Sequence, residues 1–304
     1  MSAEDEAKRD PEAARDERPI LVIGGTGLVG KPIVRAMAQA GHRVRVMSRK
    51  ARSAAGTFGP EVELVAGDAG SSSDVERALT GCRAALICVS DLLDPYLDLR
   101  VTQAVLGRAP SLGVARVGLI SGASVDEARR HFPMIDAKFR AEEALRASGV
   151  PWVILRLTWP MESIARFLRD DKATVLGDQP ATLHPIAGAD VGRMVTRAFE
   201  LDEALGHTFT IHGPEPYTLE GFLRAYAARV RPGAKVSHAP LWMLGLIARL
   251  TRNRELRAAV ELMRYFDGLP EFGDPSEANA ILGAPELTLD AWIERTSPAA
   301  NAAA

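Results

Sequence analysis

The run "ILVIGGTGLVGKPIVRAMAQAG" places Gly25, Gly27 and Gly30 in the spacing GxGxxG, with an apolar stretch before them and Val29, Ile33 and Met37 on one helical face around them. Each glycine answers a physical need: a tight turn, close approach of backbone to a pyrophosphate, and close packing of helix on strand. The free amides of a helix that opens at such a turn attract phosphate. The backbone from Gly24 to Gly30, through Thr26, Leu28 and Val29, is therefore expected to cradle a dinucleotide, with a purely structural glycine turn as the alternative.

The choice among dinucleotides is expected at the end of the second apolar run, "HRVRVMSRK", where Ser48, Arg49 and Lys50 stand and no acid does. A carboxylate there would accept from ribose hydroxyls, whereas a hydroxyl with cations suits a 2′-phosphate. The pattern favours NADP(H) and leaves NAD(H) open; a solvated basic loop is the bland alternative. Asp68, closing "VELVAGD", is placed either to meet the adenine amine or to cap the turn that follows. Val89 and Ser90, at the end of "AALICVS", join the expected cofactor-binding set.

These groups need a scaffold that brings strand ends together. From Pro19 onward, "PILVIGG", "HRVRVMSR", "VELVAGD", "AALICVS", "ARVGLIS" and "WVILRLT" alternate with stretches whose apolar residues recur every three or four positions. That rhythm predicts βαβ units in a Rossmann-type, doubly wound parallel sheet, an α/β fold whose ligands bind beyond the carboxyl ends of the strands. A late strand is expected over Thr208–Ile211. We expect residues 19–157 and 189–212 to form the cofactor-binding domain. Residues 158–188 and 213–295 are expected to form a smaller, mainly helical lobe, between a disordered leader (1–18) and a loose tail (296–304).

Composition narrows the functional classes. With 304 residues, 47% hydrophobic and 25% charged, the chain can bury a large core, and its net charge of -2 with dispersed Lys and Arg argues against nucleic acid as a partner. Cys82 and Cys88 are expected to be reduced, which fits a cytoplasmic location. The most apolar late segment, 239–250, falls short of the roughly 20 residues of a transmembrane helix. It is expected to be a buried helix or pocket lid, with a membrane-surface or protein contact as the alternative.

Taken together, "GGTGLVG", the later "GD", "GVARVGLISGAS", "KFRAEEALRASGVPWVILRLTWPMES", "HPIAGADVGRMV" and "GHTFTIHGPEPYTLEGF" resemble the short-chain dehydrogenase/reductase superfamily, in its extended and atypical NmrA-like NAD(P)H-binding branch. The resemblance covers most of residues 19–225, and "RYFDG" and "ILGAPELTLDAWI" extend it more weakly. It implies a Tyr-x-x-x-Lys pair after the fifth strand, in which the lysine holds the nicotinamide ribose and lowers the pKa of the proton-donating tyrosine. On this chain Lys138 fills the lysine position and Met134 the tyrosine position. A thioether donates no proton, so the usual acid is missing.

The resemblance also implies a serine after the fifth strand, for which Ser121 and Ser124 are both candidates, as substrate contacts or as turn caps. Where the family carries a proline after the arginine of "VILR", this chain has Leu157, and Pro160 comes later. Tyr96 and His131 are candidate replacement donors. Lys138 has its own bland alternative, an i, i+4 surface pair with Glu142. An apolar substrate pocket is expected from Trp159, Met161, Phe167, Trp242 and Met243. Three readings remain: an NADPH-dependent reductase of a quinone-like or small apolar carbonyl substrate, which the residues favour; a non-catalytic NADP(H) sensor acting on a protein partner; and an accessory subunit that holds its cofactor. No metal-ligand spacing such as HExxH or CxxC is present.

Overall fold

The computed structural model describes residues 16–54 and 56–296; nearly all of the expected leader and tail lie outside them. The chain runs β1 (Ile20–Ile23), α1 (Gly30–Gln39), β2 (Val44–Ser48), β3 (Val62–Ala66), α2 (Ser72–Leu79), β4 (Ala84–Ile87), α3 (Leu97–Leu106), β5 (Arg116–Gly122), α4 (Pro133–Arg146) and β6 (Trp152–Leu157). There follow β7 (Leu168–Arg169), β8 (Lys172–Leu176), β9 (Thr182–Leu183), α5 (Gly188–Glu200), β10 (Thr208–Ile211), β11 (Tyr217–Thr218) and α6 (Leu219–Val230). The last elements are β12 (Lys235–Ala239), α7 (Leu241–Leu250), α8 (Arg254–Phe266), α9 (Ser276–Leu282) and α10 (Leu289–Thr296).

Seven strands form one parallel sheet in the order β10-β6-β5-β4-β1-β2-β3. All seven strands expected from the sequence are in it. β1 lies between β2 and β4, with Ile20 beside both Val44 and Ala84, so the order reverses at the β1/β4 boundary. Helices cover both faces, which explains why β1 and β4 are apolar at every residue rather than at alternate ones. One face packs Ile33, Val34 and Met37 of α1 with Val191 and Phe199 of α5. The other packs Val75 and Leu79 of α2, Val101 and Val105 of α3 and Leu145 of α4.

A third core gathers Met161, Val175, Phe222, Leu223, Trp292 and Ile293 around β8, α6 and α10. Here β12 pairs with β8 in parallel and β7 with β8 antiparallel, a small sheet that the mainly helical reading of residues 158–188 and 213–295 did not foresee. "KVSHA" is too short and polar to carry a strand signal alone; its pairing with "KATVL" makes it one. The helix α9 returns to the main sheet and buries Ala278 and Leu282 in the first core. Both cysteines are free. Among the described residues no helix is long and apolar enough to cross a membrane.

Candidate functional site

The glycine-rich turn leaves β1 at the order reversal. Gly24 takes a φ of +92°, and a Cβ there would sit 2.1 Å from the Cys88 carbonyl oxygen at the end of β4. A Cβ on Gly30 would sit 2.2 Å from the Gly24 oxygen, so neither position admits a side chain. The Gly27 N–H donates to the Gly24 oxygen at 2.9 Å and closes the turn. At the start of α1, Val29 provides no side-chain cap and the first turn holds no acid. Among the described residues the N–H groups of Leu28, Val29 and Gly30 find no protein acceptor. A bare helix N-terminus at a turn whose glycines admit no side chain fits a pyrophosphate.

Beside this turn, Thr26 Oγ1 lies 3.5 Å from Ser48 Oγ, and Ser48 Oγ accepts the Lys50 N–H at 3.1 Å. Arg49 and Lys50 are exposed, and no described carboxylate pairs with either. Asp68 is exposed; its carboxylate accepts the Gly70 N–H at 2.9 Å and its own N–H donates to Asp74 at 2.8 Å. Of its two expected roles, the structure forms the turn cap. Val89 is half-buried against Gly24 and Ser90 is exposed at the same strand end.

The α4 helix starts at Pro133, whose missing N–H is harmless in the first turn, with Phe132 as the non-helical residue before it. Met134 and Lys138 are then one turn apart on one face. Lys138 does not pair with Glu142. Its Nζ donates to Asp98 Oδ2 of α3 at 3.0 Å, with only 12% of the lysine and 4% of the aspartate side chain exposed. One carboxylate uses one of three ammonium donors, so two remain for ribose hydroxyls. Desolvation pushes the Cys88 thiol, just after β4, up to about 12, against the pull of the Lys138 charge.

Glu142, which the alternative reading of Lys138 put on the surface, is fully buried. It accepts from Ser121 Oγ at 2.6 Å, from Arg156 at 2.6 and 3.0 Å and from Arg146 at 2.8 Å, tying α4 to β5 and β6. Ser121 is thereby committed to the interior of this network. Tyr96 is committed too: its hydroxyl donates to Asp136 Oδ2 at 3.3 Å, and Arg130 binds the other oxygen of the same carboxylate at 2.7 Å. His131 is exposed.

Ser124, by contrast, makes no hydrogen bond of ordinary geometry, and it faces a residue the sequence reading left out. Tyr265, near the end of α8, stacks on Phe132 with ring centroids 4.4 Å apart and planes at 10°. Its hydroxyl is buried with no hydrogen-bond partner. Burial pushes the phenol pKa above its usual value, while the Ser124 side chain beside it pulls the other way. The Trp159 Nε1 is likewise buried and unpartnered; its ring meets Phe266 edge-on at 5.9 Å and Phe167 at 6.2 Å. The path after β6 is set by Pro160 and Ile186, which form a bridge, with the Met161 N–H donating to the Ile186 oxygen at 2.9 Å.

Of the expected pocket residues, Trp159 and Phe167 line this region, and Met161 is core. Trp242 and Met243 are on the outer surface of α7, 71% and 37% exposed, so the buried-helix reading of 239–250 fails. The segment after α8 crosses the sheet edge instead. Glu271 there accepts the His184 backbone N–H at 3.0 Å and the His184 ring N–H at 2.5 Å, and His212, stacked on His184, donates its Nε2–H to the Phe272 oxygen at 3.2 Å. His184, His212 and Glu271 bring their ligand atoms within 4.8 Å of one another and border an open pocket of about 600 Å³. They come from three distant segments, so no spacing could announce them.

Comparison with known proteins agrees with this geometry. A family model described as NAD(P)H-binding matches residues 24–202. A (4-alkanoyl-5-oxo-2,5-dihydrofuran-3-yl)methyl phosphate reductase of Streptomyces griseus is 30% identical over 208 residues, 66% of this chain and 69% of that one. The photosystem II assembly factor Ycf39 of Cyanophora paradoxa is 25% identical over 236 residues, 75% of this chain and 73% of that one. In fold, the chain superimposes on the NADP(H) complex of Citrobacter sp. triphenylmethane reductase with a TM-score of 0.73 at 14% identity, covering 91% of this chain and 99% of that one. It superimposes on the NADPH complex of an Escherichia coli quinone oxidoreductase with a TM-score of 0.69 at 18% identity, covering 89% and 96%. The chain carries an NAD(P)H-binding domain and belongs to the NAD(P)H-binding family.

Proposed function

We propose that the protein is an NADPH-dependent reductase of a small, apolar, electron-poor carbonyl or quinone-like substrate, with Tyr265 in place of the proton donor lost at Met134. The observation that carries this reading is the buried, unpartnered Tyr265 hydroxyl facing Ser124 beyond the end of β5. An unsatisfied buried hydroxyl costs about 1–3 kcal/mol, and a substrate oxygen between Tyr265 and Ser124 would relieve that cost. The Trp159 Nε1 offers another unmet donor in the same aromatic surroundings. Phe132, Phe167 and Phe266 supply apolar walls suited to a planar substrate.

When bound, NADPH supplies a hydride. The chain's part is to hold and to protonate. The turn from Gly24 to Gly30 holds the pyrophosphate, Ser48, Arg49 and Lys50 receive the 2′-phosphate, and Lys138, braced by Asp98, holds the nicotinamide ribose. The Tyr265 hydroxyl gives its proton to the substrate oxygen as negative charge develops there, Ser124 orients that oxygen, and solvent restores the phenol. The relatives with NADP(H) and NADPH in their structures support this choice of cofactor; the quinone oxidoreductase and the S. griseus reductase support the choice of acceptor class.

The test is NADPH oxidation by the purified protein with a panel of benzo- and naphthoquinones and conjugated enones. Turnover above the uncatalysed rate, abolished in Lys138→Ala, is expected. NADPH binding without turnover across the panel sinks the reductase reading. It would favour instead a cofactor-holding or sensing role, which Met134 permits and which the Ycf39 relatives, named as assembly factors, make the second choice.

A further inference from the structure

Among the described residues eight large hydrophobics are more than about a third exposed, and five of them, Trp242, Met243, Leu246, Ile247 and Leu250, belong to the ten residues of α7. The helix is docked by its other side. Leu241 joins the third core, Gly245 faces Val260 of α8 and Ala248 is 2% exposed, the i, i+4, i+7 pattern of one buried stripe. At 100° per residue, Trp242, Leu250 and Ile247 span an outer arc of roughly 140°. Trp242 is 71% and Leu250 75% exposed, so this arc is a free apolar face rather than the rim of a core.

Its charge surroundings single out an occupant. From Pro240 to Arg254 the chain holds Arg249, Arg252 and Arg254 and no Asp or Glu. All three arginines are exposed, and none pairs with a described carboxylate. Arg249 borders the arc beside Trp242 and Leu246, and the other two follow at the helix's C-terminal end. A second copy placed face to face by a two-fold axis would bring these unpaired cations against their like. An apolar face with a tryptophan, bordered by cations without acids, is instead the pattern of a helix lying in the plane of a membrane surface.

We propose that α7 docks this protein on anionic phospholipid bilayers, with Trp242, Leu246 and Leu250 entering the headgroup boundary and Arg249, Arg252 and Arg254 meeting lipid phosphates. The inference does not depend on the reductase reading. It adds to that reading a source of substrate, because α7 packs on α8, whose far end carries Tyr265 and Phe266.

Sedimentation of the full chain with vesicles tests it. Wild type is expected to bind phosphatidylglycerol–phosphatidylcholine vesicles, to release with rising salt and to bind phosphatidylcholine alone weakly. Trp242, the one tryptophan of four that is mostly exposed, should blue-shift its fluorescence on binding. At about 1 kcal/mol per surface cation, the triple variant Arg249→Glu, Arg252→Glu, Arg254→Glu should lose affinity by on the order of 100-fold or more. The triple variant Trp242→Ser, Leu246→Ser, Leu250→Ser should lose binding while keeping its melting temperature and NADPH affinity. Absence of wild-type binding at low salt overturns the proposal, as does unchanged binding by either variant. Self-association that the serine variant abolishes, with vesicles ignored, assigns the face to a second copy and also overturns it.

Discussion

Replacing Tyr265 by Phe separates a substrate contact from a packing residue, because the two roles predict opposite changes in stability and rate. The Tyr265 ring stacks on Phe132 and meets Phe266, and Phe keeps both contacts. What it loses is a buried hydroxyl that has no partner. Leaving such a group unsatisfied costs about 1–3 kcal/mol, so the substitution should stabilise the cofactor-bound protein by about 1 kcal/mol, or roughly 2 °C in melting temperature for a chain of this size. The same loss removes a general acid, which contributes roughly 10²–10⁴ in rate, or about 2.7–5.4 kcal/mol of activation free energy. We expect kcat with a quinone to fall about 100-fold, water serving as a poorer donor, while KM for NADPH stays within about two-fold. The assay is steady-state NADPH oxidation beside thermal melting of the same samples. A variant that keeps kcat within about two-fold, or that melts lower than wild type, refutes the assignment.

Other groups give independent checks. Arg49 is exposed, so its bond to a 2′-phosphate belongs at the lower end of the charge-assisted range, about 1.5 kcal/mol, and repulsion by a glutamate adds to the loss; Arg49→Glu should weaken NADPH about 30-fold and NADH by less than about two-fold in fluorescence titration. Equal loss for both would show that the 2′-phosphate lies elsewhere. Glu142→Ala strands Arg156 and Ser121 inside the α4–β5–β6 junction, and because Arg156 and Arg146 keep 24% and 31% exposure the cost should be about 3 kcal/mol, at the low end for a broken buried pair. Glu162 has its pKa raised by burial despite accepting from Gly188 and Trp292. The folded chain then binds more protons than the unfolded chain between the ordinary value of 4.5 and the raised one, so stability falls as pH rises through that window and returns on acidification. Glu162→Gln should lack this gain when melting is compared at about pH 7 and pH 5.

Much of the scaffold was legible because its signals are local. Buried parallel strands announce themselves as continuous apolar runs, and the glycine turn carries its reasons within seven residues. The Met134–Lys138 register was legible for the same reason, since one helical turn fixes it. Side-chain direction was not. Ser121 and Ser124 lie three residues apart at a strand end, and only the position of Glu142 decides that the first points into a buried network while the second faces Tyr265. Glu142 itself looked like a surface partner of Lys138 because helical spacing ignores what lies behind the helix; two arginines and a serine make its burial tolerable. Tyr265 and the His184, His212 and Glu271 cluster were invisible because they arrive from far along the chain. For Trp242, composition suggested burial, yet the helix turns Leu241, Gly245 and Ala248 inward and Trp242, Leu246 and Leu250 out.

The proposed move of the acid from Met134 to Tyr265 would change more than its address. In the Tyr-x-x-x-Lys arrangement the ammonium lowers the phenol pKa, so one residue can give a proton in reduction and take one in oxidation. Here Lys138 is neutralised by a buried carboxylate and Tyr265 sits with its pKa raised by burial. With a pKa above the ordinary value of about 10, fewer than roughly one phenol in a thousand is ionised at pH 7. Such a group donates readily to an oxygen that has just received negative charge, and it is a scarce base for removing a proton from an alcohol. On this proposal Lys138 is purely a holding group, a role that needs nothing to ionise at Met134. The expected enzyme is directional at the level of its proton: fast where hydride arrival makes a basic oxygen, slow in the oxidation of hydroxyl compounds by NADP⁺, with the reverse rate rising tenfold per pH unit toward the phenol pKa.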